Sequence, residues 1–236
     1  RGVAVLAASV DEDPARERSL VRELVERRVD GLIVVPTHDD HSYLVNERRA
    51  GVHVVFADRP ARHLAADVVR SDNRGGATEG VRHLLACGHA RIAFLGDLLT
   101  ILTAVERLEG YRDALGASGI PVDAGLVHAD LHGAEVAERT TRALLDLPDP
   151  PTAIFAAQNL LTIGALRALQ ARGAQRDVAL VGFDDIELGD LVELGLRVVA
   201  QDPPAIGRLA AEALFRRLDG DGSPWAEHVL PTRLVQ

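Results

Sequence analysis

Short, β-branched apolar stretches recur along this chain at helix-length intervals, and few folds accommodate that rhythm. They fall at Val3 to Ala8, Gly31 to Val35, His53 to Ala57, Ala66 to Val69, Arg91 to Leu95, Thr152 to Ala156 and Asp177 to Gly182. Each is too short for a helix and lacks the strict alternation of a half-exposed strand, so each reads as a strand buried on both faces. Segments of helical period lie between most of them. In one, Leu20, Leu24 and Val25 share a face opposite Arg18, Arg22, Glu23 and Glu26. The alternation predicts an α/β fold, with mostly parallel sheets flanked by helices.

Punctuation agrees. Glycine or aspartate stands ahead of several strands, at Asp30-Gly31, Gly51, Gly88 and Gly173, where helices need a stop. Pro14, following Asp11 and Asp13, marks one helix start, and Asp72-Asn73 caps a helix running to Cys87. The loops at Gly119 to Asp123 and Asp146 to Pro151 are too short to be flexible interdomain linkers.

A chain of 236 residues, 47% of them apolar, can fill one large domain or two lobes. All 26 basic residues are arginine, against 35 Asp and Glu, and the net charge of −9 argues against a polyanion-binding surface. The single cysteine, Cys87, excludes an intrachain disulfide and any structural zinc site built on several thiolates. No apolar run approaches the ~18 residues of a membrane-spanning helix, and a cytoplasmic location is expected. The sequence starts at Arg1 and contains no methionine, so an upstream segment is expected.

Polar residues follow almost every apolar run: Thr37 and His38, Asp58 and Arg59, Ser71 to Asn73, Gln158 and Asn159, Asp184 and Asp185. In open parallel sheets ligands bind outside the carboxyl ends of the strands, so these residues would converge on one crevice. Equally, they would serve as exposed loop residues that cap helices. His38, Asp39, Asp40 and His41 are metal-type ligands, but four adjacent residues cannot easily surround one ion, and no metal site is expected. His83 and Cys87 share a helix face beside Val81, Leu84 and Leu85, which reads as packing rather than as a nucleophile and its base. Asp184 and Asp185 are adjacent and would point apart, unlike paired catalytic carboxylates. Dinucleotide, P-loop, nucleophile-elbow and zincin motifs are all lacking, so neither enzyme activity nor a cofactor is expected.

An ordered set of motifs runs along the chain. It comprises Asp11-Glu12-Asp13-Pro14, Arg28-Val29-Asp30-Gly31-Leu32-Ile33, Asp58-Arg59-Pro60, Ser71-Asp72-Asn73 and Gly88-His89-Ala90-Arg91-Ile92-Ala93-Phe94. Arg107-Leu108-Glu109-Gly110-Tyr111 and Val181-Gly182-Phe183-Asp184-Asp185-Ile186 complete it, and in order and spacing the set resembles the LacI/GalR family of bacterial transcription regulators. The likeness covers the family's effector core, which is similar to periplasmic sugar-binding proteins. It implies two similar lobes, residues 1–71 plus 203–225 and residues 72–202 plus 226–236, hinged at three crossovers, with the effector between them.

Motif by motif, the resemblance implicates Asp58, Arg107, Gln158, Asp184, Gln201 and Ser71 in binding the effector. Leu131 stands where the family often places an aromatic platform. A planar Arg fork, a carboxylate and amides suit the neighbouring hydroxyls of a sugar or polyol. Truncating Arg107 or Asp184 is expected to weaken binding and leave the fold intact. The resemblance also implies a homodimer whose helix-turn-helix head, upstream of Arg1, reads operator DNA. By the same likeness the chain starts at the core's second strand, and losing the first βα unit would expose unpaired backbone along neighbouring strands. A solute-binding component of a sugar transporter shares the architecture and is the alternative.

Overall fold

Six of the seven apolar runs form strands, in the order the alternation predicts. The computed structural model describes residues 2–38, 40–186 and 196–235. Its elements are α1 (Pro14–Glu26), β1 (Gly31–Val34), α2 (Leu44–Arg49), β2 (His53–Ala57), β3 (Asp67–Ser71), α3 (Asn73–Ala86), β4 (Ile92–Leu95), α4 (Leu102–Ala117), β5 (Val127–His128), α5 (Ala134–Leu145), β6 (Ala153–Ala156), α6 (Asn159–Arg172), β7 (Ala179–Phe183), β8 (Arg197–Ala200), α7 (Pro203–Leu218), β9 (Glu227–Leu230) and β10 (Arg233–Val235). They divide into two units, Arg1–Arg70 with Pro203–Leu230 and Ser71–Asp202 with Pro231–Gln236.

The first unit is built on a sheet of order β1-β2-β3-β9, with β1, β2 and β3 parallel. Adjacent residues of β2 point to opposite faces, and each face has its own core. Val54 and Phe56 pack with Val21, Leu32 and Leu44 under α1 and α2. Val55 and Ala57 pack with Val69, Ile206, Ala210 and Ala213 under α7. Arg217, near the end of α7, reaches the buried Asp67 of β3 through a two-pronged ion pair, Nε to Oδ2 at 2.7 Å and Nη2 to Oδ1 at 3.0 Å. Its remaining donors go to the carbonyls of Asp221, Ser223 and Pro224, and its plane lies 4.1 Å from the centroid of Trp225. Burial alone would raise the Asp67 carboxyl, but Arg217 and the backbone N–H of Ala226 outweigh it and hold the group below its ordinary value.

Pairing of β9 in the first sheet places the last change of unit between Leu230 and Pro231 rather than at Trp225. The run Val3 to Ala8 forms no strand, contrary to the sequence pattern; Val3, Val5 and Leu6 are 56%, 83% and 56% exposed. Apolarity equips such a run for a sheet interior, yet a strand also needs a ladder partner. Among the described residues none pairs with it. The outer edge of β1 is likewise unpaired among the described residues, and Ile33 and Val35 beside it are exposed.

The second unit carries a sheet of order β10-β8-β7-β6-β4-β5, parallel except for β10, which runs antiparallel to β8. Alternation again fills both faces: Phe94, Phe155, Val181 and Val199 pack beneath α3 and α4. Leu95, Ile154 and Ala156 pack beneath α5 and α6. Each helix pair closes on a glycine. A Cβ on Gly110 of α4 would collide with the backbone of Arg74 and Thr78 in α3, and one on Gly164 of α6 with the backbone of Ala134 and Glu138 in α5. Hydrogen at these positions lets the helix axes approach more closely than side chains permit.

Candidate functional site

Because five strands of the second sheet run parallel, their carboxyl ends share one edge. In sheet order the residues just beyond those ends are Gln201, Asp184, Gln158, Asp97 and Asp130. Asp184 directly follows Phe183 at the end of β7 and takes a left-handed backbone, φ 67°, while its N–H stays in the ladder to Val199 O at 3.0 Å. An aspartate tolerates that conformation better than most residues but is strained there, and such strain concentrates at functional sites.

Arg107 meets this carboxylate from α4. Its Nη1 donates to Asp184 Oδ2 at 3.2 Å and to Ala157 O at 2.9 Å, and its Nε donates to Asn73 Oδ1 at 2.9 Å. The guanidinium lies 3.8 Å from the centroid of Phe183. Arg107 is only 5% exposed, so it is a buried, four-way anchored group and not the surface helix charge that its place in an amphipathic pattern permits. On the other side of Asp184, Gln201 Nε2 donates to Oδ1. The structure therefore unites Arg107, Asp184 and Gln201 around one carboxylate, leaving Asp184 a quarter exposed and able to accept from a further donor.

Among the described residues of this unit three buried side-chain polar atoms have no partner: Thr141 Oγ1 in α5, and Gln201 Oε1 and Ser71 Oγ. Native structures seldom leave such atoms unpaired. Gln201 Oε1 belongs to an amide already held by Asp184, and Ser71 Oγ lies at the end of β3, two residues before Asn73.

The other sequence candidates are placed differently. Gln158 caps α6, its Oε1 accepting from the N–H groups of Leu160 and Leu161 at 2.9 and 3.3 Å. Leu131 packs into the core with Leu95, Leu126 and Ala137 and offers no open platform. Asp58 belongs to the first unit and repeats the geometry of Asp184: it follows β2, has φ 67°, and donates its N–H to Val69 O at 2.8 Å. Its neighbour Arg59 is held by Glu12 through two 2.7 Å bonds. Sequence reasoning missed Asn73, fully buried and orienting Arg107, although the Ser71-Asp72-Asn73 motif was in view. It also passed over Asp97, which follows β4 and accepts from Leu98 N.

A second polar cluster lies in the first unit. Glu17 of α1 is buried; its Oε2 accepts from Thr37 N and Oγ1 at 2.7 and 2.8 Å, and its Oε1 from Tyr43 OH at 2.7 Å. His41 Nε2 lies 2.8 Å from Oε1. Burial would raise this carboxyl, but the four hydrogen bonds overcome it and lower it to about 2. His38 stands close by, so two of the histidines dismissed as metal ligands on sequence spacing acquire a carboxylate from a different element. Asp39 lies outside the described residues. Cys87, expected to be packed, is exposed because it falls at the C-cap of α3, beyond the buried face of Val81 and Leu84; its Sγ is 3.8 Å from His83 Nε2.

Comparison with known proteins matches residues 81–236 to the periplasmic binding protein-like domain family. The chain is 34% identical over 216 residues to the HTH-type transcriptional regulator CelR of Thermobifida fusca, covering 90% of this chain and 64% of that protein. The solved transcriptional regulator CelR–cellobiose complex superimposes with TM-score 0.84 at 33% identity, covering 95% of this chain and 70% of that one. A LacI family transcriptional regulator from Enterococcus faecium with bound ribose gives TM-score 0.81 at 26% identity, covering 92% and 82%.

Proposed function

Since the chain belongs to the LacI family of transcriptional regulators, as their periplasmic-binding-protein-like effector core, we propose that it senses a sugar or related polyol for a DNA-binding protein. The observation that carries this reading is the carboxylate of Asp184, fixed by Arg107 and Gln201 at the carboxyl edge of the sheet and still open to a donor. A vicinal diol presents two donors and two acceptors in a compact space. Asp184 accepts from it, Gln201 Oε1 and Ser71 Oγ gain the partners they lack, and Arg107 holds the carboxylate in place. Gln158 contributes through its amide nitrogen, its Oε1 being engaged in the cap, and Leu131 supports the sheet edge only from within the core. Asp58, strained in the same way at the end of β2, is a further candidate contact.

The relatives are regulators, which favours this reading over the solute-binding component of a sugar transporter. The chain spans 64% of the CelR protein, and the remaining functions are proposed for the full-length molecule. A helix-turn-helix head outside these residues binds operator DNA, the protein works as a cytoplasmic homodimer, and effector binding changes operator affinity. No cofactor or catalytic step enters this reading.

The test is a thermal-shift screen of pentoses, hexoses and short glucosides, with each hit titrated calorimetrically against wild type, Asp184→Ala and Gln201→Ala. Removing a charge-assisted bond should cost about 1.5–3 kcal/mol, roughly a ten- to hundredfold loss for Asp184→Ala. Unchanged affinity in both folded variants refutes the site.

A further inference from the structure

We propose that Glu17, His38 and His41 form a binding site for a divalent transition-metal ion of the zinc class. One ligand atom from each lies within 4.8 Å of the others, and the set joins α1 to the segment after β1. His38 Nδ1 faces Glu17 Oε1 at 3.8 Å, too far for a hydrogen bond, and it is buried without a partner. A zinc ion sits about 2.0–2.2 Å from imidazole nitrogen and carboxylate oxygen, so it bridges ligand atoms roughly 3–4 Å apart. The 3.8 Å gap is already of that size; the 2.8 Å contact between His41 Nε2 and Oε1 has to open by only ~0.5 Å.

The surroundings fit a metal centre. Two histidines and one carboxylate are a donor set that binds zinc, cobalt or nickel with a further position open to water. Glu17 is oriented from behind by Thr37 and Tyr43, the kind of outer support that fixes a metal ligand's rotamer. His38 keeps 19% of its side chain exposed, which provides the entry path, while Glu17 and His41 are sealed from water.

Protons and charge are accounted for. In the structure Arg18 donates to His38 Nε2 from Nε at 3.3 Å, so the ring's own proton is on Nδ1. Metal binding at Nδ1 moves that proton to Nε2, where it faces the Arg18 donors, and the exposed Arg18 must swing aside. His41 undergoes the matching exchange, its Nε2 proton passing to Nδ1. Two neutral rings and one carboxylate thus take up the ion with no net proton release. Arg18 competes with the metal for His38.

This proposal stands apart from the effector reading. Chelator-treated full-length protein carrying Cys87→Ser, which removes the exposed thiol as a rival ligand, is titrated with Co²⁺ and then with Zn²⁺. The expected result is one equivalent of cobalt with the visible absorption of a low-coordinate nitrogen and oxygen site, displaced by zinc. His38→Ala, which leaves the four bonds to Glu17 in place, should weaken binding at least ~10-fold, and Arg18→Ala should tighten it about threefold or more. Absence of the cobalt spectrum, or a spectrum unaffected by His38→Ala, overturns the proposal and leaves the cluster as a hydrogen-bonded clamp. Arg18→Ala supplies the decision if the histidine variant fails to fold: weaker or unchanged binding there refutes the competition and with it the site.

Discussion

Replacing Arg107 by alanine separates a buried anchor from a surface charge more sharply than any other change in the second unit. The side chain makes three hydrogen bonds and lies on the Phe183 ring, at 5% exposure. Truncation strands Asn73 Oδ1 and Ala157 O as acceptors with no replacement donor, at about 1–3 kcal/mol each. It also removes the ring contact, worth roughly 0.5–2 kcal/mol. Breaking a buried pair from one side costs about 3–5 kcal/mol, which agrees with that sum and gives a working value near 4 kcal/mol. At roughly 2–4 °C per kcal/mol for a chain of this size, the variant should melt about 10 °C below wild type. Asp184→Asn keeps the hydrogen-bonding shape and should lose only about 1 kcal/mol. Scanning calorimetry of both proteins, with far-ultraviolet circular dichroism to check the fold, measures the difference. An Arg107→Ala transition within ~2 °C of wild type would refute the reasoning and restore the sequence expectation of an undisturbed fold.

Two further outcomes follow from the packing. Arg217→Ala should destabilise the first unit by about 3–5 kcal/mol in urea unfolding, because the Asp67 carboxylate stays buried without its cation. The same pair fixes a pH dependence: the Asp67 carboxyl titrates below its unfolded value, so its stabilisation is complete above about pH 4 and fades as acid carries the solution down towards the folded value. Asp67→Asn should flatten the acid limb of the stability curve, and an unchanged slope contradicts the assignment. Gly110→Ala, favourable by helix propensity alone, should instead lower the melting temperature, since the new methyl meets the α3 backbone and not a yielding side chain. A rise in melting temperature would show that α3 and α4 can separate freely.

What could be read from the sequence depended on whether the signal was local. Phe155 and its neighbours announce a strand by composition alone, and Asp184 declares its position by following one. Val3 to Ala8 has the same composition, but pairing is a property of two segments, and no run of letters states whether its partner is there. The short β9 and β10 are edge pieces, each with only two adjacent apolar residues, and escaped notice because so brief a run is no signal by itself. Arg107 was singled out as a candidate contact while its burial was not foreseen, because Asn73 and Ala157, which enclose it, lie 34 and 50 residues away. Glu17 was invisible for a related cause: its partners stand 20 to 26 residues on, beyond an intervening strand. Polar residues that pair across elements look, one at a time, like ordinary surface charges.

The left-handed aspartates at 58 and 184 also bear on how this protein would evolve in the laboratory. Glycine adopts that backbone freely, so a population selected only for surviving heat gains about 1 kcal/mol by drifting to glycine at 58, whereas at 184 the same relief is outweighed by the roughly 3–5 kcal/mol of leaving Arg107 buried without its carboxylate. The winners would express well, melt late and have lost the carboxylate at 58 while keeping the one at 184. Such a split would show that one acid is kept against its own backbone strain by the cation it anchors, whereas drift to glycine at 184 as well would show that the Arg107 pair stabilises less than its burial implies.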